Sequence, residues 1–330
     1  MHQVTLKHIE AARSRIAGKI ERTPTIISHS LSERFGVPVW LKHEHRQLTG
    51  AFKLRGATNA IAQLSAEEKA RGVVAASTGN HGRALAHAAK LEGIRAVICM
   101  SRLVPENKLA EIRRLGAEIR IVGKSQDDAQ QEVERLVAEE GLIMVPPFDN
   151  AAIIAGQGTI GLEIVEDVPD VAMVLVPLSG GGLAAGIAAA VKALKPDCKI
   201  VGVSMDRGAA MKASIDAGMP VSVEEFASLA DSLGGGIGLE NRYTFSMCAE
   251  LLDEVILLSE AEIAAGIDHI YGQEREIVEG AAAVGVGALL AGKLNPAGPV
   301  VALLSGRNID MALHRRVISG ETNIFGEVAA

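Results

Sequence analysis

The chain has 330 residues, a formal net charge of −7, 48% hydrophobic residues and 35 glycines, but only 6 Phe, 2 Tyr and 1 Trp. Its length allows about two domains of roughly 150 residues with a sizeable core, which excludes a globally disordered protein. The acidic balance and the absence of a Lys/Arg block argue against DNA or RNA as a partner. We therefore expect a globular protein with a core of small aliphatic side chains.

The first residues and the apolar stretches of the chain indicate where the protein is located in the cell. The first 20 residues have an amphipathic helical pattern without the apolar core and cleavage site of a signal peptide. The longest apolar stretch, residues 280–292, is too short for a bilayer that needs roughly 20 apolar residues. We expect a cytoplasmic protein without membrane contact. Cys99, Cys198 and Cys248 form no CxxC pair, and we expect buried reduced thiols rather than a disulfide or a zinc site.

Short β-branched or apolar runs alternate with helical patterns along most of the chain. In the first half the predicted strand and helix pairs are 73–76 with 83–91, 97–100 with 106–115, and 119–122 with 127–140. In the second half they are 172–176 with 183–194, 200–203 with 209–217, and 300–304 with 309–317. The alternation predicts an α/β fold with open parallel sheets, helices on both faces, and ligands at the carboxyl ends of strands. A loop-like stretch over 144–150 predicts two closely joined lobes.

The turn Ser-Gly-Gly-Gly-Leu at 179–183 follows a predicted strand and precedes a predicted helix. Its glycines would let main-chain N–H groups converge on an anion, and the helix dipole favours a phosphate there. A plain strand-to-helix turn remains an alternative. Gly180, Gly182 and Gly186 also approximate a dinucleotide fingerprint, with Asp206 as a possible ribose ligand. A nicotinamide-dependent oxidoreductase is therefore a second possibility.

Two more polar turns follow predicted strands, at 77–82 (Ser-Thr-Gly-Asn-His-Gly) and 305–308 (Ser-Gly-Arg-Asn). Their hydroxyls and N–H groups suit an anion or carboxylate, but the same residue types also act simply as helix N-caps. Lys53 lies among small and apolar residues. Burial would lower its pKa, and the neutral amine could then form a Schiff base or act as a base. Most lysines are instead solvated surface residues.

Other catalytic patterns are weaker. His43 and His45 would point to one side of a strand over 39–45 and could bind a metal, but no carboxylate or cysteine at a suitable spacing completes the set. We interpret both as structural and predict no metal site. No GxSxG motif occurs, so a serine hydrolase is a low-ranked alternative.

Together these motifs resemble the fold-type II pyridoxal-phosphate enzymes, particularly the threonine/serine dehydratase family. The matching segments occur in family order, at 41–44, 49–57, 77–82, 147–149, 154–159, 176–183, 279–281 and 305–308. The resemblance covers nearly the whole chain. It implies a tryptophan synthase β-like fold of two open, twisted, mostly parallel sheets, with a large cofactor domain over 1–71 and 150–330 and a small mobile domain over 72–149. It also implies a homodimer.

The resemblance assigns pyridoxal 5'-phosphate as cofactor and gives its ligands. Lys53, beside Phe52 in the cofactor pocket, would hold the cofactor as a Schiff base and later take the proton from the substrate Cα. Asn80 would hydrogen-bond to the pyridoxal 3-oxygen, and Ser305 would face the pyridine nitrogen. The 5'-phosphate would be held by the main-chain N–H groups of Gly180, Gly181, Gly182 and Leu183.

The resemblance also implies a substrate site. Ser77, Thr78, Gly79 and His81 would line the pocket for the substrate carboxylate. Thr78 matches the serine that acts as the opposite-face acid/base in serine racemases and is a second candidate catalytic residue. Its β-branched side chain is more restricted than serine, so we do not expect racemase activity.

Departures from the family pattern concern substrate and regulation. Ser204 and Ala210 stand where cation-regulated relatives have an acidic pair, so we do not expect that cation site. Segments 202–211, 230–238 and 305–310 look more like hydroxyectoine-utilisation dehydratases than like threonine dehydratases.

We hypothesise that Arg83, Arg207 or Arg307 reads an additional acidic group on a substrate larger than serine. For each arginine, surface ion pairing is the alternative.

The predicted function is therefore elimination of the β-hydroxyl from a 3-hydroxy amino acid or a related compound. The product would be an enamine that hydrolyses to a 2-oxo acid and ammonium. The alternatives are a nicotinamide-dependent oxidoreductase and a non-catalytic ligand sensor that kept the fold.

Overall fold

The computed structural model describes residues 4–77, 79–102, 106–321 and 324. The strands in these residues are β1 (Thr25–Ile27), β2 (Val39–Lys42), β3 (Val73–Ala76), β4 (Ala96–Met100), β5 (Glu118–Ile121), β6 (Ile143–Met144), β7 (Met173–Pro177), β8 (Lys199–Met205), β9 (Glu254–Leu258) and β10 (Val300–Leu303). The α-helices are α1 (Leu6–Ile16), α2 (His29–Phe35), α3 (Lys53–Ala62), α4 (Ala66–Arg71), α5 (Asn80–Leu91), α6 (Glu106–Arg114), α7 (Gln126–Glu140), α8 (Ala151–Asp167), α9 (Gly182–Leu194), α10 (Ala210–Ala217), α11 (Thr244–Leu251), α12 (Glu260–His269), α13 (Gly280–Leu290) and α14 (Met311–Ile318).

The strands form two sheets, as the sequence predicts. One sheet has the order β1-β2-β10-β7-β8-β9 and is parallel except for the antiparallel edge strand β1. The other has the order β5-β4-β3-β6 and is parallel throughout. The four-stranded sheet uses only residues between 73 and 144, whereas the six-stranded sheet takes strands from both sides of that segment. The predicted mostly parallel α/β architecture is confirmed.

Successive residues of a strand point to opposite faces of the sheet, and here helices cover both faces of each sheet. Val174 and Val176 of β7 join a core with α1, α8 and α9, while Leu175 joins a core with α12 and α13. In the other sheet, Val73 of β3 packs with α3 and α5, while Val74 packs with α7. Both faces are apolar, as expected for strands buried on two sides.

Three local predictions change. The strand predicted over 39–45 ends at Lys42, because Glu44–Arg46 forms a 3-10 turn, although the His43 and His45 rings still lie 5.1 Å apart. Met144, assigned to the loop between the lobes, instead ends β6 and pairs with Val74.

The third change concerns the last helix, which was predicted over 309–317 and begins at Met311. The Asp310 side chain accepts hydrogen bonds from the N–H groups of Ala312 and Leu313 and so caps it.

The cysteines and the apolar helices agree with expectation. Cys99, Cys198 and Cys248 are buried and free, and burial raises the pKa of each thiol. The apolar stretch 280–292 corresponds to α13, which is buried from Gly280 to Leu289. Within the described residues, no helix combines the length and the apolar character needed to cross a bilayer.

Glycines allow α8 to pack very closely against α3 on one side and α9 on the other. A Cβ at Gly156 of α8 would lie 2.6 Å from the Cα of Gly56 in α3. A Cβ at Gly158 would lie 2.9 Å from the carbonyl oxygen of Gly186 in α9, and a Cβ at Gly186 would collide with the carbonyl oxygen of Ile154. Any larger residue would push these helices apart. The helices α3 and α9 both start at the site described below.

A buried ionic network supports the same helices. Arg55 of α3 is fully buried and forms ion pairs with Glu44 at 2.7 Å and with Glu163 of α8 at 2.6 Å. Lys42, also fully buried, contacts Glu163 at 2.7 Å and the carbonyl oxygen of Thr23. Burial opposes ionisation of the Glu44 carboxyl, but the guanidinium of Arg55 lowers its pKa overall. Each buried charge thus has a partner of opposite sign.

Substitution of Arg55 tests this network. In Arg55→Met the apolar stem remains but Glu44 and Glu163 lose their buried partner, which should lower the free energy of unfolding by about 3–5 kcal/mol. Arg13→Met is the matched control, because Arg13 pairs with Glu166 at the surface and its loss should cost at most about 1 kcal/mol. Urea denaturation followed by circular dichroism measures both. Equal losses in the two variants would contradict a supporting role for the buried network.

Candidate active site

Lys53 begins α3 beside the turn that follows β10. The N–H of Phe52 donates to the carbonyl oxygen of Ser305 at 3.0 Å, and Ala51 forms an antiparallel bridge with Gly306. The Lys53 Nζ atom donates to the carbonyl oxygen of Pro147 at 2.7 Å and lies 5.3 Å from the centre of the Phe52 ring. These contacts place the amine between three segments that are distant in sequence.

The environment of Lys53 favours the neutral amine. Burial lowers the pKa of Lys53 to about 8, and the carboxylate of Glu279 partly opposes this effect. An ordinary lysine has a pKa near 10.4. A lysine with a lowered pKa is a better nucleophile and base near neutral pH. The pKa of Lys53 is thus lowered by burial, as expected, but its neighbours include the polar groups Glu279 and His81, and its catalytic role remains a prediction.

Asn80, at the start of α5, connects the four-stranded sheet to the other side of the site. Its Nδ2 atom donates to Oε1 of Glu279 at 2.8 Å, and its Oδ1 atom accepts from Nδ2 of Asn308 at 2.6 Å. Asn308 also donates to the carbonyl oxygen of Thr49 at 3.0 Å, and its Oδ1 atom accepts from Arg83 at 2.7 Å. Amide side chains therefore link α5 to the turn after β10.

Glu279 is the buried acid of this network. Only 4% of the residue is exposed, and burial raises the pKa of its carboxyl. Its Oε2 atom accepts from the N–H of Asn308 at 3.1 Å, and a Cβ at Gly306 would lie 2.7 Å from its Oε1 atom. Glycine at 306 is thus needed for the carboxylate to approach the main chain.

Gly180, Gly181 and Gly182 form the turn between β7 and α9. Gly181 has φ 87°, a conformation that favours glycine, and it occupies the N-cap position of α9 without a side-chain cap. A Cβ at Gly181 would lie 2.7 Å from Met211 and 2.9 Å from Cys248. Among the described residues, the N–H groups of 180–183 have no acceptor. The turn therefore presents unpaired donors at the positive end of a helix.

The segment 147–149 packs across this turn. A Cβ at Gly180 would collide with the Phe148 ring, and one at Gly182 would lie 3.0 Å from the Phe148 main chain. The Asp149 carboxylate accepts three hydrogen bonds, from the N–H groups of residues 242, 243 and 244, and so caps α11. Pro147 in the same segment accepts the hydrogen bond from Lys53. The lysine and the glycine turn are thus held by one short segment.

The turn 77–82 is only partly described, because Thr78 lies outside the described residues. Ser77 accepts hydrogen bonds from the N–H groups of Gly79 at 3.4 Å and Gly82 at 3.1 Å, so its hydroxyl caps the turn. His81 is 3% exposed, and its Nε2 atom contacts the carbonyl oxygen of Val145 at 2.8 Å. Burial and the nearby Lys53 lower the pKa of His81 to about 4, which keeps the ring neutral. Substrate binding by this turn remains a prediction.

Two of the groups that meet here were not given a role by the sequence. Glu279 and Asn308 appear in the matching segments, but their place beside Asn80 depends on chain folding across 199 and 228 residues. No periodicity or local motif encodes such a separation. Lys53, Asn80, Ser305 and the glycine turn, by contrast, were expected at one site. Hydrogen bonds join the segment of Lys53 to Ser305 and, through Asn308, to Asn80, whereas the glycine turn is reached by the packing of Phe148.

Comparison with known proteins identifies the family. The family model described as "Pyridoxal-phosphate dependent enzyme" matches residues 16–306. A relative from Sinorhizobium fredii with a provisional threonine dehydratase name is 67% identical over 321 residues, which cover 97% of each chain. The L-threonine ammonia-lyase of Thermotoga maritima is 42% identical over 317 residues, covering 96% of this chain and 78% of the relative.

Solved structures agree with this result. Maize serine racemase superposes with a TM-score of 0.90 at 31% identity, covering 96% of this chain and 98% of the racemase. The chain belongs to the fold-type II pyridoxal-phosphate dependent enzymes, in the threonine dehydratase family of lyases. Nothing in these matches supports the nicotinamide alternative for the glycine turn.

The residues present suit pyridoxal phosphate. The unpaired N–H groups of 180–183 match the needs of a phosphate, and a Cβ at Gly180, Gly181 or Gly182 would meet neighbouring atoms at 3.0 Å or less. Lys53 offers an amine with a lowered pKa, and Asn80 offers an amide that contacts Glu279, the carboxylate that acts on Lys53. Pyridoxal phosphate carries both a phosphate, which suits the N–H groups of 180–183, and an aldehyde, which suits the amine of Lys53.

The lowered pKa of Lys53 can be measured directly. In the apoprotein, the reaction of Lys53 with a limiting amount of acetic anhydride should rise with pH to half its maximum near pH 8, because only the neutral amine reacts. Competitive labelling with peptide mass spectrometry gives this value for each lysine separately. A midpoint near 10.4 would show that burial does not perturb the amine.

Proposed function

We propose that this protein uses pyridoxal phosphate to eliminate the β-hydroxyl of a 3-hydroxy amino acid of the threonine or serine type. The observation that carries the proposal is the meeting of Lys53, with its lowered pKa, and the donor-rich turn 180–183 across the segment 147–149. The products would be a 2-oxo acid and ammonium. The names of the relatives, a threonine ammonia-lyase and a threonine dehydratase, agree with this chemistry.

Each residue of the site has a defined task in this proposal. When bound, pyridoxal phosphate supplies an electron sink for the electron pair left on the substrate Cα. Gly180, Gly181, Gly182 and Leu183 hold its phosphate through main-chain N–H groups, and Phe52 packs beside it. Asn80 and Ser305 bind its ring oxygen and ring nitrogen sides.

Lys53 moves the proton. The Lys53 Nζ atom would take the proton from the substrate Cα, for which a pKa of about 8 is well matched near neutral pH. Pro147 accepts a hydrogen bond from the same nitrogen, and this fixes its position. The hydroxyl of Ser305 would face the ring nitrogen of the cofactor and, being neutral, would offer it a hydrogen bond without a charged acidic partner.

We assign the substrate carboxylate to the turn that precedes α5. Ser77, Thr78 and Gly79 would bind it through hydroxyl and main-chain N–H groups near a helix N-terminus. His81 would contribute through its main-chain N–H, because its buried ring already contacts Val145. Thr78 would act on the opposite face of Cα from Lys53.

We infer that Arg83 is the arginine that reads an additional acidic group. Its guanidinium is partly buried and donates to Asn308, which also contacts Asn80. Arg207 instead lies over the Phe226 ring, 5.4 Å from its centre, and Arg307 is exposed. A role in hydroxyectoine utilisation, suggested by segments 202–211, 230–238 and 305–310, would supply such a substrate.

Three further properties belong to the same proposal. The domain over 72–149 would close on the domain formed by 1–71 and 150–330 and exclude water from the reacting carbon. The protein would be a homodimer. It would act in the cytoplasm on a free amino acid.

Substitution of Lys53 tests the proposed reaction. Lys53→Ala should lower kcat for a 3-hydroxy amino acid by at least about 10³-fold, because both cofactor attachment and the base are lost. Lys7→Ala, at an exposed lysine of α1, is the control and should match the parent. Formation of 2-oxo acid from a panel of hydroxy amino acids measures activity. Cofactor binding without turnover in the parent would instead identify a sensor.

Substitution of Arg83 tests the larger substrate. Arg83→Gln should lower kcat/KM by about 10–100-fold for amino acids with a second acidic group, since a charged hydrogen bond is lost. Serine and threonine should be affected much less. Arg207→Gln and Arg307→Gln are the matched controls. If all three variants process every substrate as the parent does, no arginine reads a distal group.

A further inference from the structure

His43, His45 and Glu276 form a compact cluster that the proposed reaction does not use. One candidate ligand atom from each residue lies within 4.8 Å of the others. The Nε2 atom of His45 is 2.9 Å from Oε2 of Glu276, and Nδ1 of His43 is 3.8 Å from Oε1. Among the described residues, it is the one group of three or more His, Cys, Asp or Glu side chains whose candidate ligand atoms lie this close together. The two histidines are recognisable as a pair in the sequence, whereas folding brings the Glu276 carboxylate to them from a distant part of the chain.

The two imidazoles are buried without enough partners. His43 is 4% exposed and His45 is 1% exposed. Within the described part of the chain, neither nitrogen of His43 and not Nδ1 of His45 has a hydrogen-bond partner. Buried polar side chains almost always have one, and an unpaired buried group costs about 1–3 kcal/mol. The cluster therefore lacks partners of its own, and the partner missing at the lone-pair nitrogen of His43 has to donate a proton or accept the electron pair.

The chemistry of the cluster selects a cation. Both rings are buried, and a neutral imidazole can donate the lone pair of its unprotonated ring nitrogen to a metal ion. Two imidazoles and one carboxylate are a ligand set for Zn²⁺, with metal–ligand distances of about 2.0–2.2 Å. Ligand atoms around such an ion lie roughly 3–4 Å apart, which is close to the spacing here. Hard cations such as Mg²⁺ prefer all-oxygen sites.

We propose that His43, His45 and Glu276 bind one Zn²⁺ ion. The Nδ1 atom of His43 gains the partner that it lacks, and Nε2 of His45 exchanges its contact with Glu276 for the ion. Arg46 forms an ion pair with Glu276 and serves as the outer partner that orients the carboxylate. Water completes the coordination.

The position of the cluster gives the ion a structural task. The His45 N–H donates to the carbonyl oxygen of Leu304, the residue before Ser305. Glu276 lies three residues before Glu279, the buried acid of the candidate active site. An ion shared by the turn 43–46 and the segment 276–279 would join two of the segments that frame the site. Zinc should therefore stabilise the folded protein by mass action.

Metal binding to the purified holoprotein tests the proposal. Untagged protein in phosphate-free buffer is dialysed against micromolar Zn²⁺, and bound metal is measured by inductively coupled plasma mass spectrometry. The parent should hold one more zinc per chain than His43→Gln and Glu276→Gln, with at least about a 100-fold loss of affinity in the variants. His29→Gln, at an exposed histidine, is the matched control and should bind as the parent does.

Two further measurements separate this site from other binders. Co²⁺ in place of Zn²⁺ should give a visible ligand-field band in the parent and the His29→Gln control, but not in Glu276→Gln. Zinc should raise the thermal midpoint of the parent and of the His29→Gln control but not that of Glu276→Gln, and Mg²⁺ should raise none of them. Circular dichroism and the cofactor absorbance band verify that each variant is folded.

Zinc held at cysteines or at the cofactor would persist in Glu276→Gln, so equal metal content in parent and variant would overturn the proposal. A parent that binds no zinc would overturn it as well. Because the readouts are metal content, a metal spectrum and thermal stability, none of them depends on the reaction proposed above.

Discussion

The close packing of α8 between α3 and α9 is the constraint on which the site depends. Glycines at 56, 156, 158 and 186 remove the side chains that would separate these helices. Because α3 begins with Lys53 and α9 begins at the glycine turn, the distance between the lysine and the unpaired N–H groups of 180–183 follows from how closely the three helices approach one another. A helix interior normally disfavours glycine by roughly 1 kcal/mol relative to alanine, so the packing has to offset that cost several times.

The charges in the core act on the same helices. Arg55 lies two residues after Lys53 on α3 and is paired with Glu163 on α8. Buried ion pairs are weak sources of net stability but are intolerant of a missing partner. The network therefore fixes which way α3 faces more than it strengthens the fold. Glycine contacts set the spacing of the helices, and the ion pairs set their rotation.

Local sequence patterns predict most elements of this arrangement, but they do not predict the contacts between polar side chains that are distant in the chain. Alternating strands and helices, the glycine turn at 179–183 and the apolar setting of Lys53 are local patterns, and each is readable over fewer than about 20 residues. Short or edge elements such as β1 and β6 carry too few residues to show a period. Glu279, Asn308 and Glu276 were not given roles, since they meet Asn80 and His45, which lie more than 190 residues away in the chain. Local patterns encode elements, whereas long-range contacts between polar side chains depend on the completed fold.

The use of main-chain donors at 180–183 has a consequence for how such an enzyme diversifies. The proposed phosphate contacts come from main-chain N–H groups, and because a Cβ at Gly180, Gly181 or Gly182 would meet neighbouring atoms at 3.0 Å or less, this turn tolerates little change. The turn 77–82 and Arg83 offer side chains instead, and they follow β3 of the four-stranded sheet. In the proposed function, substitution of Arg83 would therefore alter which amino acid is accepted while the glycine turn stays unchanged. Cofactor anchoring and substrate selectivity would then be separable traits, and directed evolution of this scaffold should begin at side chains of α5 other than Asn80.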